Sequence, residues 1–380
     1  MTDTAVTVEV AGSVSQFPAD QWDALAGGNP FVSHAFLTAM ENSGSVGGRS
    51  GWTPAPVVIR RADGSLAGAV PAYLKAHSQG EYVFDHGWAD AWHRAGGNYY
   101  PKLQIAAPFT PATGPRLLVA DPALAPPLIG GLEALCRQNG LSSAHATFIA
   151  PEQVDAFAQA GWLLRHDIQF HWENRGYASF DDFLGTLASA KRKNLRKERA
   201  AAQEGVEIRA LCGADITEAH WDAFWQFYQD TGARKWGRPY LTRDAFSLLG
   251  DRMADSILLF LAYMEGRPVA GALNFIGPGA LYGRYWGAVL DKPFLHFELC
   301  YYQAIDAAIE RGLARVEAGA QGSHKLARGY EPVRTTSAHF IVHDGFRHAV
   351  ADFLERERAG VASDQVYLGE RTPFRKDPGA

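Results

Sequence analysis

The chain has 380 residues, enough for two cores rather than one, and its 47% apolar and 20% charged composition belongs to a folded rather than a disordered protein. A net charge of -5 argues against general electrostatic attraction to nucleic acid but leaves room for a local basic patch. Cys136, Cys212 and Cys300 are too few and too far apart for a disulfide framework and point to a reducing compartment. MTDTAVTVEV has no basic stretch followed by an apolar core, and the longest apolar run, around Ile257 to Met264, is far short of the ~20 residues of a spanning helix. These features predict a cytoplasmic protein without a transmembrane segment.

In the first half, Val6 to Val10 reads as a strand and Ala19 to Leu25 as a short helix. After the Asn29-Pro30 turn, Ala35, Phe36 and Ala39 begin a helical stripe that fades into the Gly/Ser-rich stretch Ser43 to Gly51. Val57 to Arg61 and Leu66 to Leu74 form a hairpin around Asp63-Gly64, and Glu81 to His86 reads as a third strand. Trp88 to Ala95 is helical. Asn98 to Lys102 and the Pro/Thr/Gly run Pro108 to Pro115 follow, the latter unable to be a helix or a central strand. Two readings of that run stand: a rigid connector, or a substrate-lining loop with Tyr99, Tyr100, Lys102 and Phe109 exposed around it. Leu128 to Cys136 and Pro151 to Ala160 read as helices, Ala146 to Ile149 and Leu163 to Trp172 as strands.

A boundary falls near Gly176, giving domains 1–175 and 176–380. Ser179 with Asp182 forms a capping signal, and Phe180, Phe183, Leu184 and Leu187 start an apolar stripe that runs into KRKNLRKERA, a basic helix over 180–204. Arg192, Arg196 and Arg199 share one face, with Lys193 and Lys197 beside them. This is either a solvated face bridging the domains or a contact for phosphate, as on tRNA, a diphosphate-bearing substrate or a carrier. Glu218 to Tyr228 is another helix, and GARKWGRPY (232–240) a basic loop. Ile257 to Tyr263, Pro268 to Ile276 and Leu281 to Gly287 are three strands in hairpin sequence. Tyr301, Ala304, Ile305 and Ala308 mark one helix closed by Gly312, Arg315 to Ala318 a further strand, and Gln321 to Arg328 a polar loop. MEGRPVAGALNFI parallels ADGSLAGAVPAYL in the first half, each preceded by an Ala-Phe helix, which argues for two similar folds.

Strand, strand, strand, helix, strand is the order of the GNAT acyltransferase core. GRYWG, HFELCYYQAID and EAGAQGSHKLARGYEP resemble the C-terminal half of the FemAB-like, or peptidoglycan biosynthesis/recognition, double-GNAT proteins. NPFVSHAFL, EYVFDHGWADAW, NYYPKLQ, PFTPATGPRLL and KRKNLRKER extend the resemblance almost end to end. It implies an α+β fold of two tandem GNAT-like domains, each a mixed, mostly antiparallel sheet flanked by helices. It also implies that an acyl donor lies between splayed strands and is attacked directly by an amine.

Such chemistry needs a path for the ammonium proton and donors for the oxyanion. The [RQ]-x-x-G-x-[GA] loop that offers backbone N–H groups to the pyrophosphate of acetyl-CoA is missing, since Arg284 to Val289 fails at its last position and lies on a strand. A donor held by other means, or CoA bound atypically, is therefore expected. His296 or Glu298 is the candidate base, Glu317 binds or deprotonates the amine, and His324 completes the catalytic set. Lys325 and Arg328 are candidates for phosphate or carboxylate. Tyr285, Tyr302 and Tyr330 would position the acyl group, with Arg284, Trp286 and Gln321 as further substrate contacts. His296, Glu298 and His324 fit no strong zinc spacing, and no G-x-S-x-G or Cys/His pattern supports a covalent nucleophile.

Three functions remain open. One is Fem-like transfer of an aminoacyl or acyl group, from aminoacyl-tRNA or a related donor, to an amine of a peptide-containing, cell-wall-precursor-like acceptor. Another is N-acylation of a small amine from an acyl-thioester on CoA or a carrier protein. The last is a non-catalytic protein that binds a cell-wall fragment. No tightly bound cofactor and no metal are expected, with the donor as co-substrate.

Overall fold

The computed structural model describes residues 7–235, 239–319 and 322–375. Gln321 lies outside them, as do Trp236 and Arg238 of the basic loop.

In chain order the strands are β1 (Val8–Val10), β2 (Trp52–Pro54), β3 (Val57–Arg60), β4 (Leu66–Val70), β5 (Ala72–Lys75), β6 (Lys102–Ile105), β7 (Leu118–Val119) and β8 (Ser143–Ala146). There follow β9 (Leu163–Glu173), β10 (Glu207–Cys212), β11 (Ile257–Met264), β12 (Arg267–Gly277), β13 (Ala280–Ala288), β14 (Arg315–Glu317) and β15 (Glu331–Ile341). The helices are α1 (Ala19–Ala26), α2 (His34–Asn42), α3 (His86–Arg94), α4 (Ala125–Gln138), α5 (Val154–Gln159), α6 (Phe180–Gly185), α7 (Ser189–Gln203), α8 (Glu218–Lys235) and α9 (Arg243–Met253). A short α10 (Leu295–Phe297) runs through a π-turn (Glu298–Tyr302) into α11 (Gln303–Glu310), and α12 (Asp344–Gly369) is the last helix.

Two compact units result. One joins the chain up to Asp167 with Arg334–Ala362, the other Ile168–Val333 with the chain from Ser363. Against a division at 175/176, the crossing point falls inside β9, and residues 334–362 go back to the first unit. In the first unit β1-β3-β4-β7 are antiparallel neighbours, and β2-β5-β6 continue to β8, parallel to β6, and then to antiparallel β15. In the second the order is β10-β11-β12-β13-β14-β9, antiparallel except for the parallel pair β13 and β14. Each unit thus holds a mixed, mostly antiparallel set of strands flanked by helices. Each also borrows its closing strand: β9, which follows β8 in sequence, pairs with β14, and β15, which follows β14, pairs with β8.

The two repeated sequences are equivalent hairpins. Gly68 on β4 lies under Leu128 of α4, where a Cβ would stand 3.2 Å from its Cδ1, and Gly271 on β12 lies under Phe224 of α8, at 2.9 Å. At Gly287 on β13 a Cβ would fall 2.1 Å from the Phe227 carbonyl oxygen, so α8 rests on bare backbone. Ser179 caps α6 by accepting the Asp182 N–H at 3.1 Å, while the Asp182 carboxylate takes the Ala178 N–H at 3.1 Å. Instead of one helix over 180–204, the chain breaks at Thr186–Ala188 between α6 and α7.

Glu81 to His86 is not a strand. Tyr82 adopts φ 59°, and Glu81 and Asp85 turn inward to Lys102. The run Pro108 to Pro115 is mostly buried and hydrogen-bonded beyond the end of β8. Gly114 N–H donates to Phe148 O (3.1 Å), and buried Arg116 donates to Thr147 O (2.7 Å) and Ala112 O (2.8 Å). Among the described residues no helix is long and apolar enough to cross a membrane.

Gly287→Ala is expected to destabilise the protein by about 2 kcal/mol or more, because backbone cannot yield as a side chain can. Gly130→Ala, exposed in α4 with nothing within 4 Å of the new methyl, should instead stabilise by ~0.5 kcal/mol. Denaturant melts of the two variants check this pair, and equal effects would contradict the packing described.

Candidate active site

The parallel pair β13 and β14 is joined over three residues, Ala280–Tyr282 against Arg315–Glu317, after a register shift at Leu273/Asn274 in the neighbouring ladder. Past that point β13 runs on to Ala288 while β14 has ended. Into the divergence come side chains from three directions. Trp286 projects from β13, His296 and Tyr301 from the connecting helix, and His324 from the 3-10 turn Ser323–Arg328 that follows β14. The His296 ring centroid lies 5.2 Å from that of Trp286 and 6.1 Å from that of His324, and Tyr301 Oη is 2.8 Å from His324 Nε2.

Arg328 locks this group. Its guanidinium stacks 3.4 Å over Phe297, and it donates to Tyr302 Oη (3.1 Å), His324 O (2.8 Å) and Glu198 Oε2 (2.8 Å). The Tyr302 hydroxyl donates to Glu198 Oε2 at 2.6 Å. Burial, then the bond to Glu198, pushes the Tyr302 hydroxyl well above its ordinary pKa, so it stays a donor at any physiological pH. Tyr330 is fully buried against Tyr301, its ring centroid 5.5 Å away.

Glu298 does not join the histidines. The π-turn carries its fully buried carboxylate to α7, where Oε1 accepts from Arg199 Nε (3.2 Å), Gln203 Nε2 (2.9 Å) and Gln303 Nε2 (2.8 Å). Arg199 also pairs with Asp306. The α7 residues Leu195, Glu198, Arg199 and Ala202 therefore form the inward stripe, spaced i, i+3, i+4, i+7. Arg192, Lys193, Arg196 and Lys197 line a shallow depression on the outside with Ser189 and Ala200. Arg196 pairs with Asp181 at 2.8 Å, and among the described residues Arg192, Lys193 and Lys197 have no ion pair. The cationic stripe thus divides: Arg199 belongs to the site, the other four to the surface.

Glu317 ends β14, buried, with Oε1 taking Arg315 Nε at 2.8 Å and Oε2 3.8 Å from His171 Nε2. Lys325 is buried with its amine on Gly319 O (2.9 Å), and burial lowers its pKa to about 7. Tyr285 packs on Tyr228 of α8, centroids 5.3 Å apart, and the Arg284 guanidinium lies 5.1 Å from the Tyr285 ring centroid. Tyr99, Tyr100 and Lys102 fall in the first unit and are not exposed. Tyr99 and Lys102 are buried, Tyr100 half-buried with its hydroxyl 2.8 Å from Ser78 Oγ, and Phe109 is buried too. Apolar surroundings and the carboxylates Glu81 and Asp85, invisible as partners in sequence, draw them inward. Glu198, Gln203, Phe297, Tyr301 and His171 join these groups without having stood out as site residues in the sequence. Glu198 was legible, since Leu195 and Ala202 mark the inward face on which it stands.

The FemAB-like family, described as peptidoglycan biosynthesis/recognition, matches residues 13–376. The chain belongs to the FemAB-like family. Among solved structures, the C-terminal domain of a putative lysylphosphatidylglycerol synthetase from Agrobacterium fabrum superposes with TM-score 0.55 at 11% identity, over 90% of this chain and 96% of that one. FemX gives 0.53 at 11% over 90% and 100%. L-PGS from Bacillus licheniformis gives 0.52 at 10% over 94% and 98%. At such identities the likeness is one of fold, and this FemAB-like chain has the two tandem GNAT-like domains its sequence implies. No curated protein matches the sequence.

Because Lys325 has a folded pKa of about 7 against an unfolded value near ~10.4, the unfolded chain binds more protons between those limits, and stability should rise with pH across them. Lys75 in the first unit, also lowered to about 7 by burial, adds to the same rise. Urea melts from pH 7 to 10 should show a smaller rise for Lys325→Met than for the parent. An identical slope would contradict the burial of that amine.

Proposed function

We propose that this chain is an N-acyltransferase that moves an aminoacyl group from aminoacyl-tRNA to an amine of a peptide-containing, cell-wall-precursor-like acceptor. The observation that carries this reading is the division of labour on α7. One face supplies Glu198 to Tyr302 and Arg328 behind the histidine group and Arg199 to the buried Glu298, and the outward face offers Arg192, Lys193, Arg196 and Lys197 to a polyanion. A donor whose phosphates lie along the outer face has its reactive end within reach of the inner one.

The helix start supports a donor other than acetyl-CoA. Phe294, at φ 66°, precedes α10 without a side-chain cap, and a buried carboxylate, Glu298, occupies the turn after it. The Leu295 N–H is already taken by Lys292 O at 3.2 Å, so this turn offers fewer backbone donors to a pyrophosphate. Trp286, Tyr301 and Tyr302 would enclose the aminoacyl group, with His296 or His324 taking the amine's proton directly or through water. Glu317 would hold the incoming ammonium, with Lys325 and Arg328 beside the developing negative charge. The cationic face equally suits an acidic acyl carrier protein, which makes an acyl-thioester the second reading for the donor.

Binding separates these readings. Replacing Arg192, Lys193 and Lys197 by Ala should weaken aminoacyl-tRNA binding at least ~10-fold at low salt and flatten the dependence of log K on log salt by about one unit or more. Arg199 is left in place because its loss would strand Glu298 and unfold the site. Filter binding with acyl-CoA and acyl carrier protein as competitors reads the result. Unchanged affinity and slope would return α7 to a merely solvated face, and displacement by the carrier protein would favour the thioester.

A further inference from the structure

A second reactive arrangement lies in the first unit, on residues that the transferase reading does not use as reacting groups. Ser337 Oγ on β15 is 2.9 Å from His339 Nε2, and His339 Nδ1 is 2.7 Å from His145 Nδ1 on β8. His145 Nε2 is 3.2 Å from Tyr99 Oη and 2.8 Å from Ser143 Oγ, and the Tyr99 hydroxyl donates to Asp85 Oδ2 at 2.6 Å. Lys102 Nζ bonds to that same Asp85 oxygen and, at 2.7 Å, to Glu81. All of these side chains are buried, Ser337 at 4% exposure being the one that lines a cleft.

The proton directions follow from the anchored end. Burial opposes ionisation of Asp85, but Lys102 beside it holds its carboxyl well below the usual carboxylate range, so it only accepts. Tyr99 therefore gives its proton to Asp85, and its oxygen takes one from His145 Nε2. The neighbouring serines agree. Ser142 Oγ donates to Tyr99 O, so Ser143 donates to Ser142 at 3.0 Å and is free to accept from His145 Nε2–H. Burial, followed for His145 by Lys102 and for His339 by His145, pushes both imidazoles far below their ordinary pKa, to about 3 for His145. Both are neutral, so His145 Nδ1 is bare and His339 Nδ1 carries the proton between them. His339 Nε2 is then bare too and accepts from the Ser337 hydroxyl. The opposite tautomers would leave the His145 contact with Tyr99 without a proton and draw the Ser143 proton away from Ser142.

The cleft at Ser337 holds about 40 Å³, bounded by Phe84, Phe148, Arg165, His166 and Thr335 among others. That is room for a few atoms. Arg165 is fixed there by Glu357 at 2.9 and 2.7 Å and by donation to Phe84 O at 2.7 Å, a stationary positive charge.

We propose that Ser337 is a nucleophile that accepts a small acyl group from an activated ester, with His339 as its general base and His145, Tyr99 and Asp85 as positioning residues. Ser337 Oγ forms the bond to the carbonyl carbon and its proton passes to His339 Nε2. The bond from that carbon to the leaving oxygen breaks, and the leaving group departs with the electron pair. His339, a transient imidazolium whose Nδ1–H remains bonded to His145 Nδ1, returns the proton to the leaving group or to solvent. Water then hydrolyses the acyl-serine, releasing the acid and restoring the hydroxyl. Arg165 supplies positive potential for the charge that forms on the acyl oxygen. Nothing in this depends on the transferase site of the second unit, and either can fail alone.

The test treats the full chain with p-nitrophenyl acetate between pH 7 and 9, following p-nitrophenolate release and mapping acetylated peptides by mass. The expected result is acetyl on the peptide that carries Ser337, absent in Ser337→Ala and formed at least ~10-fold more slowly in His339→Gln. Tyr99→Phe, which breaks the chain at Asp85 without touching Ser337, should lower the limiting acetylation rate while leaving the half-saturating ester concentration unchanged, a split that a merely displaced cleft does not give. Acetyl confined to lysines, or Ser337 labelled at the parental rate in His339→Gln, would overturn the nucleophile. An unchanged limiting rate in Tyr99→Phe, or a loss confined to half-saturation, would overturn the relay.

Discussion

The site in the second unit depends on burying one carboxylate. Glu298 has no solvent contact, and a charge so placed is tolerated because Arg199, Gln203 and Gln303 all point at one of its oxygens. That requirement fixes α7 against the π-turn. With α7 fixed, Glu198 is positioned to receive both the Tyr302 hydroxyl and Arg328, and Arg328 in turn holds His324 through its carbonyl oxygen. The aromatic and histidine group at the strand divergence is therefore oriented from behind by ion pairs, while its front edge is made of rings.

The same helix explains how an acidic protein can attract a polyanion. Net charge is a property of the whole surface, but a stripe of cations within a Debye length of ~10 Å acts locally. The inward stripe takes Arg199, and of its outward neighbours only Arg196 has an ion pair among the described residues. In the first unit the corresponding parallel strands, β6 and β8, are continued by the buried run 108–116, where Gly114 pairs with Ile149. The two similar folds have thus been put to different uses. One gathers rings around the end of its shorter parallel strand, and the other continues the pair with buried backbone and stores its charges in the interior.

Much of this was legible in the residues. Hairpins announced by Glu265-Gly266 and Asp63-Gly64, the capping pair Ser179/Asp182 and the stripe ending at Gly312 are local signals, and the structure reproduces them within a residue or two, except that the strand after Asp63-Gly64 stops at Val70 and Ala72–Lys75 pairs in the other sheet. What could not be read was non-local. The partner of a strand is not written in its own sequence, so the exchange of β9 and β15 was hidden, and with it the placement of 334–362. Glu81 to His86 has the aromatic and β-branched centre of a strand, yet Glu81 and Asp85 are placed by Lys102, which lies 21 and 17 residues further on. His296 and Glu298 look like one catalytic pair two residues apart. A π-turn, which no simple period anticipates, sends them to different neighbours.

The most direct test of the central claim is transfer itself. Charged tRNA carrying a labelled amino acid would be incubated with the protein and a primary-amine peptide, and label would be followed into an alkali-stable amide. The expected result is protein-dependent amide formation that is lost when Glu198 is replaced by Gln, since Tyr302 and Arg328 would then lose their shared carboxylate. Label that leaves tRNA only by hydrolysis, or amide formed from an acyl-thioester and never from tRNA, would contradict it.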